Sequence, residues 1–216
     1  YRHWRQKLAV VPDDSAVTLS RLIPQIILAS KSPARKALLE DIGCQVIVRP
    51  TETDEYHGSK VGPQVVHALA KRKLDSYLSA CPDPDLPVLA ADTLVGFAGH
   101  LLGKSPDMDH ARQHIRLLSD ASHSVYSAFA LYLPPSSGRP ERILSGSDEA
   151  IVTFRSIDED ELERYLAGGD WRGAAGSYRI QGEAKSFIVG LSGDFATVVG
   201  LPIRLISAIL SSPGCL

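Results

Sequence analysis

The stretch from Pro87 to Lys104 places one carboxylate inside an almost continuous apolar run, PVLAADTLVGFAGHLLGK. Such a run, bounded by Pro and Gly, predicts a strand that is buried on both faces of a sheet. An ionised carboxylate in that setting costs several kcal/mol, by order of magnitude, unless it is paired, metal-bound or protonated. Asp92 is therefore either a functional carboxylate or a strand-end residue that caps a turn with Thr93, and these residues alone leave both interpretations open.

Two lysines are candidates to compensate that carboxylate. The pattern of residues 63–80 predicts a helix, and its apolar stripe, drawn at about 100° per residue, is centred near Leu69 and Lys73. A lysine on a buried face either extends its ammonium group to water or pairs with a carboxylate or phosphate. Lys104 follows an apolar pair and a glycine, so a return strand either brings it beside Asp92 or leaves it on the surface.

The first predicted strand, residues 25–29, runs through Ser30-Lys31-Ser32-Pro33 into a helix over residues 34–42. Ser32 is a favourable N-cap, and Pro33 suits the first helical position. Backbone N–H groups and the helix dipole at such a junction form an anion site, to which Arg35 adds positive charge. The alternative is a well-capped βα turn without a ligand.

Two loops carry further candidates. Glu55 lies in an acidic loop, which is either simply solvated or, near a phosphate site, a source of ligands for Mg²⁺. Residues 170–182, DWRGAAGSYRIQG, are rich in glycine, which lets a backbone approach a ligand closely. The amide of Gln181 suits the paired donor and acceptor edges of a nucleobase, whereas the alternative is a flexible crossover loop.

Composition limits the classes of function. A net charge of −2 over 216 residues excludes an extended nucleic-acid-binding surface, so any anionic ligand requires a local group of cations. Three cysteines without metal or redox spacing favour free thiols in a reducing, cytoplasmic compartment. We expect no membrane span, because no apolar run approaches about 18 residues. Residues 1–22 are predicted to be an N-terminal extension, and residues 23–212 a single domain.

The remaining pattern alternates strands with helices and predicts an α/β fold with a mixed sheet. We expect Met108, Ala111, Ile115 and Leu118 to face inward from a helix over residues 107–118. A capping box beginning at Ser156 predicts the start of a second helix. The other predicted elements are strands at 45–48, 125–133, 142–154, 186–191 and 197–199, and helices at 158–167 and 202–210.

Several segments, taken together and in order, resemble the Maf (septum formation inhibitor) family of nucleoside triphosphate pyrophosphatases. The resemblance covers roughly residues 26–210 and implies a central, elongated mixed sheet flanked by helices, with two lobes and a cleft between them. It also implies a homodimer and hydrolysis of a nucleoside triphosphate to monophosphate and pyrophosphate with Mg²⁺ or Mn²⁺, in a house-cleaning role. The segments are LASKSPARKALL (28–39), TDE (53–55), LAKRK (69–73), AADTLV (90–95), LGKSP (102–106), AGSYRIQG (175–182) and VVGLP (198–202).

The resemblance assigns roles residue by residue. Asp92 matches the proposed proton acceptor, and Glu55 an acidic residue linked to metal and catalysis, so both are candidate metal ligands. The other matched residues are lysines at the phosphates (Lys73, Lys104), the phosphate-binding loop (Ser30, Ser32, Arg35), and positions tied to base choice of the dTTP/UTP type (Thr93, Gln181).

Three departures from the family pattern bear on activity. Ala34 replaces the first Arg of a double-Arg motif, Ala174 replaces a Lys, and Ser105 replaces a Pro. Fewer cations at the phosphates would slow turnover or broaden the substrate range. The rival hypothesis is a catalytically weakened nucleotide-binding regulator of cell division, and a third is an enzyme acting on modified or purine triphosphates.

Overall fold

The computed structural model describes residues 19–51, 62–136 and 139–212. Within these ranges seven strands are interspersed with helices along the chain, which confirms the predicted α/β class. The strands are β1 (Gln25–Leu28), β2 (Gln45–Val48), β3 (Val88–Phe97), β4 (His100–Leu102), β5 (Ser122–Leu133), β6 (Arg142–Phe154) and β7 (Ile188–Ser192). The α-helices are α1 (Pro33–Asp41), α2 (Pro63–Ala80), α3 (Met108–Leu118), α4 (Glu159–Gly168), α5 (Phe195–Val199) and α6 (Ile203–Leu210), with a 3-10 helix at Glu183–Phe187.

The strands form one mixed sheet in the order β2-β1-β3-β5-β6-β7, with β4 folded back onto β3. β1 pairs in parallel with both β2 and β3, whereas the pairs from β3 onward to β7 are antiparallel. β3 is therefore central, and only Thr93 and Phe97 of its ten residues are not fully buried. The prediction of a strand buried on both faces is confirmed.

Three groups of buried side chains pack around this sheet. One covers the β1–β3 face under α1 and α6, and a second covers the opposite face under α2. The third lies where β3, β5 and β6 extend beyond β1 and meet α3 and α4. Leu19 is buried in the first group, so the predicted N-terminal extension contacts the core at this residue. The limits of the extension and of the domain stay predictions.

Four local predictions are wrong. Residues 197–199 lie in helix α5, not a strand, because the Asp194 side chain caps the Ala196 N–H. Met108 stands at the first position of α3 and is exposed. Helix α4 is capped by Asp158, whose side chain accepts from the Glu161 N–H, rather than by Ser156. Residues 186–187 belong to the 3-10 helix that precedes β7.

Within the described ranges, none of the helices combines the length and the hydropathy needed to cross a bilayer.

Candidate active site

Asp92 lies in the middle of β3, and its side chain forms an ion pair with Lys73. Asp92 is only 6% exposed, and the Lys73 side chain is largely covered as well. Lys73 comes from α2, which packs on this face of the sheet through Leu69, Ala70 and other apolar residues. Of the alternatives left open for Lys73, pairing with a carboxylate is the one observed. The pair satisfies the charge of Asp92 where burial alone would strongly penalise it.

The Asp92–Lys73 pair lines a cavity of about 980 Å³. Its walls come from the β1–α1 loop, the centre of β3, the segment after β4, the glycine-rich loop and the end of α5. Five of the described lining residues carry cationic side chains, and Asp92 is the one acidic residue of the described lining. The lining side chains predicted from sequence are Ser30, Ser32, Arg35, Lys73, Asp92, Thr93, Lys104 and Gln181. The cavity therefore suits an anionic ligand.

The β1–α1 loop has the geometry predicted for an anion site. Ser32 caps α1, because its hydroxyl oxygen accepts from the Arg35 N–H at 3.4 Å, and Pro33 occupies the first turn. Ser30 Oγ accepts from the Ser32 N–H at 3.2 Å, which tightens the loop. Lys31 is exposed at the cavity wall. The sequence thus forms a helix N-terminus whose amide end adjoins a cavity lined by cations.

Arg35 points back under this loop and is buried. Its Nε donates to the Gly200 carbonyl oxygen at 2.8 Å, its Nη1 to Ser30 Oγ at 3.0 Å, and its Nη2 to Thr93 Oγ1 at 3.0 Å. Thr93 Oγ1 also lies 2.8 Å from Ser127 Oγ, which itself donates to the Thr197 carbonyl oxygen. The guanidinium is therefore held by the β1–α1 loop, by β3 and by Gly200, the residue that follows α5.

Lys104, in the segment after β4, and Gln181, in the glycine-rich loop, also line the cavity. Lys104 is exposed, and its backbone forms an isolated antiparallel bridge with Ala175 of the glycine-rich loop. Gln181 is also exposed at the cavity wall. The cavity lining also includes the apolar side chains of Val95, Val125 and Ile180. Glu55 lies outside the described residues, so its predicted role stays a prediction.

Sequence reasoning missed two polar residues of β5, His123 and Ser127, that support the cavity wall. His123 Nε2 lies 2.8 Å from the Tyr178 hydroxyl, and both side chains are buried. Burial lowers the pKa of His123 to about 4 and raises that of Tyr178. Ser127 is fully buried behind Thr93. The signal available was their spacing on β5, where His123 and Ser127 share one face with Val125 in an alternating strand.

The two departures at alanine positions both fall on the cavity lining. Ala34 is half-buried in the β1–α1 loop region, and Ala174 is buried at the start of the glycine-rich loop. Arg179, which lines the same cavity, forms an ion pair with Asp170 and donates to its backbone oxygen. The glycine-rich loop thus carries a cation at 179 and none at 174.

Comparison with known proteins gives concordant relatives over most of the chain. A dTTP/UTP pyrophosphatase of Rhodopseudomonas palustris (strain HaA2) is 37% identical over 197 residues, which is 88% of this chain and 93% of that protein. The protein of the same name from Chelativorans sp. (strain BNC1) is 37% identical over 88% of this chain and 91% of its own length. That from Novosphingobium aromaticivorans is 36% identical over 88% and 92%.

One solved structure is a weaker match. A crystal structure of a nucleoside-triphosphatase / dITP/XTP pyrophosphatase from Mycobacterium abscessus is 14% identical, with a TM-score of 0.33 over 62% of this chain and 75% of that one.

The family model described as Maf-like protein matches residues 25–212, and this span contains every described residue that lines the cavity. With the relatives above, that match confirms the resemblance drawn from the motifs: the chain belongs to the Maf family.

Proposed function

We propose that this chain hydrolyses nucleoside triphosphates of the dTTP/UTP type between the α- and β-phosphates, releasing a nucleoside monophosphate and pyrophosphate. The relatives that share more than a third of its residues are named dTTP/UTP pyrophosphatases, which bears out the predicted enzyme class. The observation that carries the proposal is the buried Asp92–Lys73 pair on the wall of a cavity rich in cations. A triphosphate needs several positive charges, and a hydrolytic water needs a nearby proton acceptor.

In the proposed reaction, the oxygen of a water molecule attacks the α-phosphorus, and the bond from that phosphorus to the α–β bridging oxygen breaks. Asp92 orients the water and accepts its proton, while Lys73 holds the Asp92 carboxylate in place. Lys104, Arg35 and the amide end of α1 neutralise charge on the departing pyrophosphate. Phosphoryl transfer of this kind depends mainly on positioning and electrostatics.

The acidic donors fit a divalent cation that is bound together with the nucleotide. No cluster of three His, Cys, Asp or Glu side chains is found among the described residues, so a cage built from protein alone is not observed there. Mg²⁺ commonly uses one or two carboxylates plus substrate phosphate oxygens, which matches a cavity with Asp92 as its acidic side chain. We propose that Asp92 and Glu55 hold Mg²⁺ or Mn²⁺. When bound, the ion would supply charge neutralisation at the phosphates.

Replacing Asp92 by Asn tests the assignment. The amide keeps the shape of the side chain but does not accept a proton, so release of pyrophosphate from dTTP and UTP should fall by at least about a hundredfold. Asp75→Asn, which changes an exposed carboxylate on α2, is the matched control and should keep full activity. Unchanged turnover in a folded Asp92→Asn variant would remove Asp92 from the reaction.

A panel of pyrimidine, purine and modified triphosphates tests the substrate class. The proposed enzyme should give its highest kcat/KM with dTTP and UTP, the substrates that its relatives are named for, with the Gln181 amide pairing with the base. A preference for a purine triphosphate would contradict the base assignment. Nucleotide binding without formation of a monophosphate would favour the weakened regulator.

We further propose that the protein is a homodimer in the cytoplasm, a compartment suited to the free thiols of Cys44 and Cys81.

A further inference from the structure

A cluster of two buried serines and one half-buried histidine lies behind the cavity wall and takes no part in the proposed chemistry. Ser105 Oγ lies 2.6 Å from Ser177 Oγ, and His114 Nδ1 lies 3.2 Å from Ser105 Oγ and 2.9 Å from Ser177 Oγ. Ser177 is 0% exposed and Ser105 is buried. Each hydroxyl can donate once and also accept, so the two hydroxyls and His114 Nδ1 can satisfy one another.

The cluster joins the two segments that form one side of the cavity. Ser105 directly follows Lys104, and Ser177 follows Gly176 in the glycine-rich loop. The Gly176 N–H donates to the carbonyl oxygens of both Leu102 and Gly103 at 3.0 Å. Together with the backbone bridge between Lys104 and Ala175, these bonds fasten the glycine-rich loop to the Lys104 segment.

Helices α3 and α4 hold the cluster from behind. His114 projects from α3, and the Tyr165 hydroxyl of α4 donates to the Ser177 carbonyl oxygen at 2.8 Å. Ser177 adopts a left-handed backbone conformation, with φ of +62°, which is costly for a residue other than glycine. A strained residue persists where the surrounding contacts determine its conformation, and here those contacts come from three separate elements.

We propose that Ser105, His114 and Ser177 form a latch that fixes the backbone at Lys104 against the glycine-rich loop, and that Ser105 and Ser177 are therefore positioning residues for triphosphate binding. The inference rests on the proposed function for the role of Lys104. Lys104 is exposed at the cavity wall, and the latch anchors the backbone that carries its side chain. The family's usual proline at position 105 has no hydroxyl and would not form this latch.

The test compares Ser177→Ala in two backgrounds, the unmodified chain and Lys104→Ala. The ligands are a non-hydrolysable α,β-methylene dTTP, which presents its β- and γ-phosphates to Lys104, and dTMP, which has neither. In the unmodified chain, Ser177→Ala should weaken binding of the triphosphate analogue by about tenfold and that of dTMP by less than about twofold. In the Lys104→Ala background the same substitution should cause no further loss, because the latch acts through Lys104.

A purely structural role would give a different pattern. Equal weakening of both ligands, or the same loss of triphosphate affinity in the Lys104→Ala background, would overturn the inference. Ser105→Ala, assayed in the same way, provides the result if Ser177→Ala does not fold. Ser119→Ala is the matched control, because the Ser119 hydroxyl ties the end of α3 to Ile157 away from the cavity. It should leave both affinities unchanged.

The binding readout separates this inference from the proposed function. Triphosphate binding that couples to Ser177 and Lys104, but with no pyrophosphate released, would contradict hydrolysis and support the latch. Hydrolysis with no coupling between Ser177 and Lys104 would support the enzyme and overturn the latch.

Discussion

The Thr93 hydroxyl lies where the buried Arg35 guanidinium, Ser127 and the Gly200 carbonyl meet. This geometry gives the side chain a structural task beside the base-choice role implied by the family resemblance. Thr93→Val keeps the shape and removes the hydroxyl. We expect a loss of about 1–3 kcal/mol in the free energy of unfolding, measured by urea denaturation, because buried partners of the hydroxyl lose a bond. The kcat/KM should fall equally for all triphosphates.

The control for this substitution is Thr153→Val, since Thr153 Oγ1 and Ser122 Oγ share a hydrogen bond that is exposed to solvent. It should change neither quantity. A Thr93→Val variant with unchanged stability but an altered ratio of pyrimidine to purine turnover would contradict the structural role and favour direct contact with the base.

His123 makes stability depend on pH. Burial lowers its pKa to about 4 from an ordinary 6.5, so between those values the unfolded chain binds a proton that the folded chain does not. The contribution of neutral His123 to the free energy of unfolding is therefore fully present above about pH 6.5. It is lost as the pH falls towards 4, with a slope of up to about 1.4 kcal/mol per pH unit. His123→Phe should make the free energy of unfolding less dependent on pH across this window.

The comparison requires urea denaturation at several pH values between the two pKa values. His123→Phe removes the partner of the Tyr178 hydroxyl, so its stability should be lower throughout, and only the slope tests the titration. His100→Phe, at an exposed position in β4, should keep the slope of the unmodified protein. A slope that is unchanged in His123→Phe would contradict the assignment.

At the residue scale, sequence reasoning succeeded where a charged residue stood at a position that the apolar pattern predicts to be buried. A lysine on an apolar helical stripe and an aspartate in an apolar strand each needed a partner, and they prove to be each other's partner. The direction of the Arg35 side chain was not predictable in this way. Its acceptors Thr93 and Gly200 lie 58 and 165 residues further along the chain, and no local pattern reports such contacts.

At the scale of elements, most segments were predicted well, and the clearest failure is the short helix α5. Helix α2 and strand β2 have the predicted bounds. Helix α5 was predicted as a strand because Thr197, Val198 and Val199 are β-branched. Its actual conformation is set by the Asp194 cap, by Gly200 at its end and by the burial of Thr197 and Val198. Tertiary contacts therefore override local propensity in this five-residue helix.

The glycine-rich loop packs closely on β3, and Gly176 tests that contact. Gly176 has φ of +63°, and a Cβ there would lie 2.7 Å from Val95 Cγ2, whereas Gly99 has φ of +80° with nothing within 4 Å of the same position. Both alanine variants carry the strain of a left-handed backbone, so their difference isolates the contact with Val95. Gly176→Ala should be less stable than Gly99→Ala by about 1–3 kcal/mol in urea denaturation.

Activity separates the two variants further. Gly176→Ala should also lower kcat/KM, because the loop carries Gln181 and fastens the Lys104 segment, while Gly99→Ala at the β3–β4 turn should not. Equal stability of the two variants would show that the loop accommodates the methyl group by shifting away from β3.

At the scale of the whole molecule, the charge distribution explains how a protein with a net charge of −2 suits an anionic ligand. Acidic side chains pair with arginines on the outer faces of α3 and α4, as in the Arg112–Glu163 and Arg116–Glu159 pairs. The cavity instead gathers cations from four separate segments of the chain. Sequence motifs identified most of these cations, but their convergence is a property of the sheet order, which places β1 beside β3 and folds β4 back onto it.

That convergence predicts how salt affects nucleotide binding. Exposed charges such as Lys31 and Lys104 are screened as the Debye length falls from about 10 Å at 0.1 M salt to about 3 Å at 1 M, whereas the largely covered Lys73 is screened much less. Between these salt concentrations, calorimetry should show that the affinity for a non-hydrolysable dTTP analogue falls by about tenfold or more. The affinity for dTMP should fall less, and the affinity for uncharged thymidine should stay constant. Because a lost cation removes its share of the dependence, Lys104→Ala should bind the analogue more weakly at low salt and approach the unmodified chain at high salt. Equal salt dependence for all three ligands would contradict an electrostatic grip on the phosphates and leave the apolar wall of Val95, Val125 and Ile180 as the main source of affinity.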